Sequence, residues 1–247
     1  MTGTLQEIWR HPIKALGRER MASATLTKGR GIPGDRLWAV AHRRAKAKEP
    51  WLPCNNFIRA ASSPALQAIT AELTEDGTVH LHHPTRGDFI GNPDNPQDAE
   101  RLIDWVHPLV AIGKPNPVAI YRAENAMTDS STVSLSLINL ASHRTIEKAL
   151  DQKLSPLRWR GNLLVDGWEP WQEQSLVDKN IRIGSAEFWI RKEITRCRAT
   201  EANIHTGERD AETLKALKSF GHMEMGIHAV VTKPGSIEPG DRVEIMT

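Results

Sequence analysis

Cysteine is nearly missing from this 247-residue chain, which has only Cys54 and Cys197. Two thiols are too few for a disulfide-stapled secreted scaffold or for the Cys cluster of an iron–sulfur centre. One bridge between them is compatible with the sequence, but two separately placed thiols are the simpler expectation. Cys54, after a Trp-Leu-Pro run, reads as a small buried residue rather than a second ligand. No stretch is long and apolar enough to span a membrane. The opening MTGTLQEIWRHPIKALG lacks the continuous apolar segment of a secretory signal, so a cytoplasmic protein is expected. Charge of one sign is scarce too: 32 Lys and Arg against 30 Asp and Glu leave +2, which points away from nucleic acid as a partner. No His/Cys cluster has zinc-ligand spacing, and no fixed period recurs.

What is present is short β-like runs: GTLQEIW, RMASATLT, LWAVAH, TVHLHH, IRIGSAEFWI, GIHAVVT and DRVEIM, separated by Gly, Pro, Asp and Asn. Three helices interrupt them. Asn95 and Pro96 are an N-cap and first-turn pair, followed by Ile103, Val106 and Val110. A second helix is expected over Ser136–Leu150, with Leu137, Leu140, Ala141 and Ile146 on one stripe. The third is DAETLKALKSFG, capped by Asp210, with Leu214, Leu217 and Phe220 inward and Gly221 at its end. Strands do not alternate with helices, so the pattern excludes a βαβ dinucleotide fold and predicts a β-rich α+β architecture of barrel type. The natural seam lies near residues 115–127, dividing the chain into 1–120 and 121–247. The basic segment RRAKAKEPW reads as a solvated hairpin loop, or else as a docking surface for an acidic redox partner.

Four groups of residues can carry chemistry. In TRCRAT, Cys197 lies between Arg196 and Arg198, whose guanidinium groups favour thiolate over thiol. In RWRGN, Arg160 and Asn162 would share one face of an extended chain and offer donors to an oxyanion, while Gly161 permits close backbone approach. Near the N-terminus, Lys14 follows a short strand and Arg36 follows a Gly34-Asp35 turn. In TDSSTVSLSLINLAS, Ser134 and Ser136 gather before the expected helix, where anions are favoured. Taken alone, each group has an ordinary structural reading: an inert thiol, a paired arginine, a satisfied turn, a capped helix.

Together, HPIK, GDRLW, SLSLINLAS, RWRGNLLVDG, TRCRAT before a Thr-Gly turn, and GSIEPGDRVEI resemble the MOSC family, named for the C-terminal domain of molybdenum cofactor sulfurases. The resemblance covers nearly the whole chain. By this pattern it lies closest to the amidoxime-reducing proteins of mitochondria and their bacterial counterparts. It implies an N-terminal β-barrel-like domain followed by a MOSC β-barrel domain, with a few peripheral helices. It further implies a molybdenum cofactor (Mo-molybdopterin), chemistry independent of pyridoxal phosphate, and Cys197 as the metal ligand. Lys14, Arg36, Arg160 and Asn162 would hold the pterin and its phosphate between the two lobes. Ser134 or Ser136 would contact the cofactor, and Thr200 would line the pocket. One departure is Ala15, where serine commonly follows the PIK lysine.

A soft thiolate suits a metal already bound by the two sulfurs of a pterin dithiolene. The activity implied is reduction of N-oxygenated small molecules, such as N-hydroxylated amines or amidoximes. With no Cys cluster in the chain, electrons are expected from a separate ferredoxin-, flavoprotein- or cytochrome-type protein. Asp129, His205 and bound water are open candidates for the proton donor. A carrier of cofactor or sulfur without turnover is the competing reading, and a Cys197–His205 nucleophile pair lacks an orienting group.

Overall fold

A computed structural model describes residues 2–46 and 51–246. The strands of the first half are β1 (Thr2–Arg10), β2 (Ile13–Lys14), β3 (Glu19–Met21), β4 (Ala24–Leu26) and β5 (Trp38–His42). After them come β6 (Thr70–Leu73), β7 (Val79–His83), β8 (Gly87–Gly91), helix α1 (Pro96–Val106) and β9 (Pro117–Arg122). The second half contains β10 (Leu135–Asn139), α2 (Leu140–Leu150), β11 (Leu163–Asp166), β12 (Asn180–Ile183), β13 (Ala186–Thr195) and α3 (Thr213–Ser219). It ends with β14 (Glu224–Lys233), β15 (Gly235–Ile237) and β16 (Arg242–Ile245).

Seven strands close a barrel in the order β11-β10-β14-β13-β12-β16-β1, because β1 also pairs with β11. The first strand of the chain is therefore a stave in a barrel built otherwise from the second half. Alternation sets the interior: Leu135 and Leu137 of β10, Leu163 and Val165 of β11, Phe188 and Ile190 of β13, and Ile227 and Ala229 of β14 share one core. Each of these Leu, Val, Ile and Phe side chains contributes about 1.5–3 kcal/mol by leaving water, and Ala229 less. On the opposite face, Ile138 and Leu164 are buried as well, because Ile146, Trp159 and Leu217 pack against the outside of the barrel. The β-rich architecture expected from the sequence is the one found.

The first half adds a second lobe: the β2-β5-β9 sheet, the β6-β7-β8 meander and α1 around a separate apolar core. Helix α1 is capped as expected, with the Asn95 side chain accepting from the Gln97 and Asp98 amides. Its buried side is Leu102, Trp105 and Val106 rather than the expected Ile103–Val106–Val110 stripe. Two further expectations are corrected. The segment from Ser136 is strand up to Asn139, whose side chain then caps α2 at the Ala141 amide. Helix α3 starts at Thr213, not after Asp210, because the Asp210 carboxylate is occupied by Arg158 and Asn203. Phe220, expected inward, is 40% exposed. RMASATLT divides into β3 and β4, which pair with β1 and β15 respectively. Residues 47–50 of RRAKAKEPW lie outside the described residues. Among the described residues no helix is long and apolar enough to cross a membrane.

Candidate cofactor site

A cavity of about 390 Å³ lies against the outer wall of the barrel, with the first lobe forming its other side. Lys14, Arg36, Ser134, Ser136, Arg160, Asn162, Cys197 and Thr200 all line it. His205 does not line it: it is exposed, and its amide donates to Asn203 Oδ1. Asp129 does, and so does Arg196 of the TRCRAT motif; Arg59 and His228 line it too, though no sequence motif spoke for them.

Cys197 sits where β13 has ended at Thr195 and a single 3₁₀ turn begins, so its exposed thiol leaves the strand pattern altogether. Thr200 fixes that turn: its amide and its hydroxyl both donate to the Cys197 carbonyl, at 3.2 and 3.1 Å. The flanking arginines part company. Arg198 turns outward to Glu201, at 2.9 Å. Arg196 lies beneath, donating from Nε to Met225 O and from Nη1 to Trp159 O, both at 2.8 Å. Burial pushes the Arg196 pKa down to about 10, against the pull of Cys197 and Asp129. The loop beyond Cys197 is clamped to the first lobe. Buried Arg18 donates to Ile204 O at 2.7 Å and Arg209 to Ala61 O at 2.7 Å. Gly207, at positive φ, lies so close to the Ala65 backbone that a Cβ would overlap it.

Arg160 is not extended, as the sequence pattern suggested. It closes a 3₁₀ turn over Pro156–Trp159 in left-handed conformation, at φ 50°. Its carbonyl accepts from Arg36 Nη2 at 3.2 Å and from Ser136 Oγ at 3.4 Å. Its guanidinium is different: Nη1 and Nη2 are buried with no partner among the described residues. Burial, then Arg36 and Arg18, push its pKa down to about 9, although Asp35 and Asp129 oppose this. Gly161 follows, and any Cβ there would overlap Ile138, so the close approach expected at this position is real.

Asn162 was expected to offer its amide to an anion, and the structure assigns it otherwise. Its Nδ2 donates to Trp9 O at 3.0 Å and Asp35 Oδ1 at 3.2 Å. Its Oδ1 accepts from Ser136 Oγ at 3.0 Å, the Ser136 amide at 3.1 Å and Arg36 Nη1 at 3.3 Å. It is the hub that seats the barrel on the first lobe, and both of its donors are occupied. Ser136 serves the same hub. Ser136 lies on β10 and Ser134 immediately before it, not on a helix approach, and Ser136 faces outward between the inward Leu135 and Leu137. Ser134 Oγ shares a hydrogen bond with His228 Nδ1 at 2.9 Å. Burial, then Arg196, Lys192, Arg191 and Arg36, bring the His228 pKa down to about 4.

Lys14 is buried and donates to Met127 O at 2.9 Å and to the Asp129 carboxylate. Burial lowers its pKa by more than Asp129 raises it. For Asp129, burial alone would raise the pKa, but Lys14, Arg36 and Arg160 outweigh it and the carboxyl ends below its ordinary value. Arg36 adopts φ 49° after the Gly34-Asp35 turn and pairs with buried Asp35. The two cysteines are free thiols, as expected; Cys54 is half-buried rather than buried and lines the same cavity as Cys197. Among the described residues no three His, Cys, Asp or Glu side chains gather as a metal cluster, so Cys197 would be a solitary protein ligand.

An exposed thiol and an orphaned, buried guanidinium share one cavity whose wall is rich in cations, an arrangement chemically suited to an anionic ligand with a soft centre. The chain belongs to the MOSC-domain family: residues 2–105 match the MOSC N-terminal beta barrel domain and residues 125–244 match the MOSC domain. It is 29% identical to the molybdenum cofactor sulfurase of Caenorhabditis briggsae over a 263-residue alignment, covering 98% of this chain and 35% of that protein. With the molybdenum cofactor sulfurase of Drosophila mojavensis it shares 34% identity over 96 residues, 37% of this chain and 12% of that one. The chain thus spans about a third, or less, of these curated relatives. The solved structure of the YuaD protein from Bacillus subtilis shares the fold, with a TM-score of 0.52 and 14% identity over 99% of this chain and 96% of that one.

Proposed function

We propose that the chain binds a molybdenum–pterin cofactor in this cavity and reduces N-oxygenated small molecules with electrons from a separate redox protein. The observation that carries the reading is the Arg160 guanidinium. A buried, unpaired cation costs several kcal/mol unless an anion meets it, and a bound phosphate would supply both charge and acceptors. The donor set fits the group. Lys14 keeps a third N–H for an anion, Arg160 offers both Nη atoms, and Cys197 presents a thiol at the rim. Arg36, Asn162 and Ser136 act one step back, since they hold the Arg160 carbonyl and each other. When bound, the group supplies two-electron chemistry at a metal. Overall, the N–O bond is broken, two electrons and two protons are consumed, and water leaves. Among the carboxylates of the wall, Asp129 is held ionised by Lys14, which suits it to relay protons between solvent and the cavity rather than to store one.

A second reading, a carrier of cofactor or sulfur without turnover, is favoured by the relatives named molybdenum cofactor sulfurase. Metal and pterin analysis separates the cases. Protein made in a host with molybdenum cofactor is expected to contain near-stoichiometric metal and pterin, and Cys197→Ser to lose or alter the metal. Turnover of an amidoxime by the loaded protein supports the reductase. A transferable persulfide on Cys197 without turnover supports the carrier. Neither metal nor pterin in cofactor-replete cells overturns the binding site.

A further inference from the structure

The cations of the cavity wall divide into those already engaged and those left over. Lys14 is paired with Asp129, Arg36 with Asp35 and Arg158 with Asp210, while Arg196 is held by main-chain carbonyls. Arg160, deep in the wall, is the natural partner of the cofactor anion. Two cations at the rim remain, on opposite walls. Arg59, half-buried on the first lobe, has no carboxylate partner among the described residues, and its Nη1 lies 3.7 Å from the Cys54 Sγ. Lys192, exposed on β13, has no side-chain partner among the described residues. Arg59 is also the shared wall of a neighbouring cleft of about 410 Å³ that Arg44 and Lys114 line as well, with no Asp or Glu in its lining. Neither of those two has a carboxylate partner among the described residues. The approach to Cys197 from this side is therefore a cationic field with few counter-charges, which attracts anions and raises their local concentration.

We propose that Arg59 and Lys192 are specificity-determining residues that select N-oxygenated substrates bearing a carboxylate remote from the N–O bond. This rests on the reductase reading above. A neutral amidoxime makes no use of either side chain. Arg59 and Lys192 line the same cavity as Cys197, and a substrate carboxylate there can meet the Arg59 fork in two parallel hydrogen bonds, whereas Lys192 offers only a point charge.

The test compares benzamidoxime with 4-carboxybenzamidoxime on the cofactor-loaded protein, using a reduced one-electron dye as donor. It also compares the Kd values of benzamidine and 4-carboxybenzamidine by titration calorimetry, which needs no turnover. Wild type is expected to favour the carboxylated member of each pair by about tenfold, through KM and Kd rather than kcat, the scale of one or two partly exposed ion pairs. The ratio should fall toward one in the Arg59→Gln, Lys192→Gln double variant, return in part with Arg59→Lys, and shrink as salt rises. Equal affinities in wild type, or a preference that survives the double variant, overturn the proposal. A binding preference that depends on Arg59, with no turnover of either amidoxime, counts against the reductase and leaves anion selection standing.

Discussion

Thr200 Oγ1 donates to the Cys197 carbonyl at 3.1 Å, so in its 2.7 Å contact with Thr213 it is the acceptor. One side chain thereby ties the thiol-bearing turn to the start of α3. Thr200→Val keeps the shape and removes both bonds. It is expected to cost about 1–3 kcal/mol, because the Thr213 hydroxyl is left buried without a partner. It should also speed alkylation of Cys197 by loosening the turn. Thr200→Ser should restore most of both. Unchanged thermal unfolding and an unchanged alkylation rate would remove Thr200 from any role in setting the thiol.

The residues named from the sequence line one cavity, but they were legible only together, through the family resemblance, whereas a few purely local features could be read singly. Asn95 before Pro96 is a cap whatever the rest of the chain does, and TRCRAT before a Thr-Gly turn carries its cysteine and its loop together. The failures have tertiary causes. LSLIN reads as helix because Ile138 is buried as fully as Leu137. Helices cover the barrel from outside, and a strand buried on both faces loses its period of two. Asn162 reads as an anion ligand because nothing in RGN announces Trp9 and Asp35, which lie more than a hundred residues away. Arg59 and His228 belong to unremarkable sequence and reach the cavity only through lobe packing and strand register. Closure of the barrel by β1 was equally invisible, since GTLQEIW looks like a strand of its own half.

Arg160 and Asn162 sit two apart and should respond to mutation in opposite ways. Arg160→Met removes a buried, unpartnered cation and replaces it with an apolar chain of similar reach. The cofactor-free protein should be no less stable than wild type, while pterin and metal occupancy fall sharply. Asn162→Leu leaves Asp35, Ser136 and the Trp9 carbonyl short of partners, and about 2–4 kcal/mol should be lost whether or not cofactor is present. Thermal unfolding of the cofactor-free forms, beside pterin content of the loaded forms, checks both. A large loss of stability in Arg160→Met would mean that the guanidinium is satisfied without a ligand.

The two thiols provide a footprint of the ligand. In cofactor-free protein, iodoacetamide should label exposed Cys197 faster than half-buried Cys54, as read by peptide mass spectrometry. Loading with cofactor should protect Cys197 by at least about tenfold, because a metal-bound thiolate is not free to attack. Labelling of Cys197 at the same rate in loaded and cofactor-free protein would show that this thiol is not the ligand.

His228 should set part of the acid sensitivity of the fold. Its imidazole is held neutral by burial and by Arg196, Lys192, Arg191 and Arg36, with a folded pKa of about 4 against an ordinary value of 6.5. Between those values the unfolded chain binds the proton and the folded chain does not, so stability rises with pH across the window. The contribution is complete above about pH 6.5 and is lost as pH falls toward 4, with a ceiling of about 3 kcal/mol. Buried His11 and His143, also lowered, act in the same direction, so the useful quantity is the difference between wild type and one variant. His228→Gln retains a group able to bond Ser134 but cannot titrate, and its unfolding free energy should fall less steeply than that of wild type between pH 6.5 and 4. An anion bound in the cavity offsets the four cations but not the burial, so a saturating anionic ligand should lift both curves, partly flatten the wild-type one and leave the slope of the variant's nearly unchanged. Parallel curves for wild type and variant, measured by urea unfolding at half-unit pH steps, would show that His228 does not feel this field.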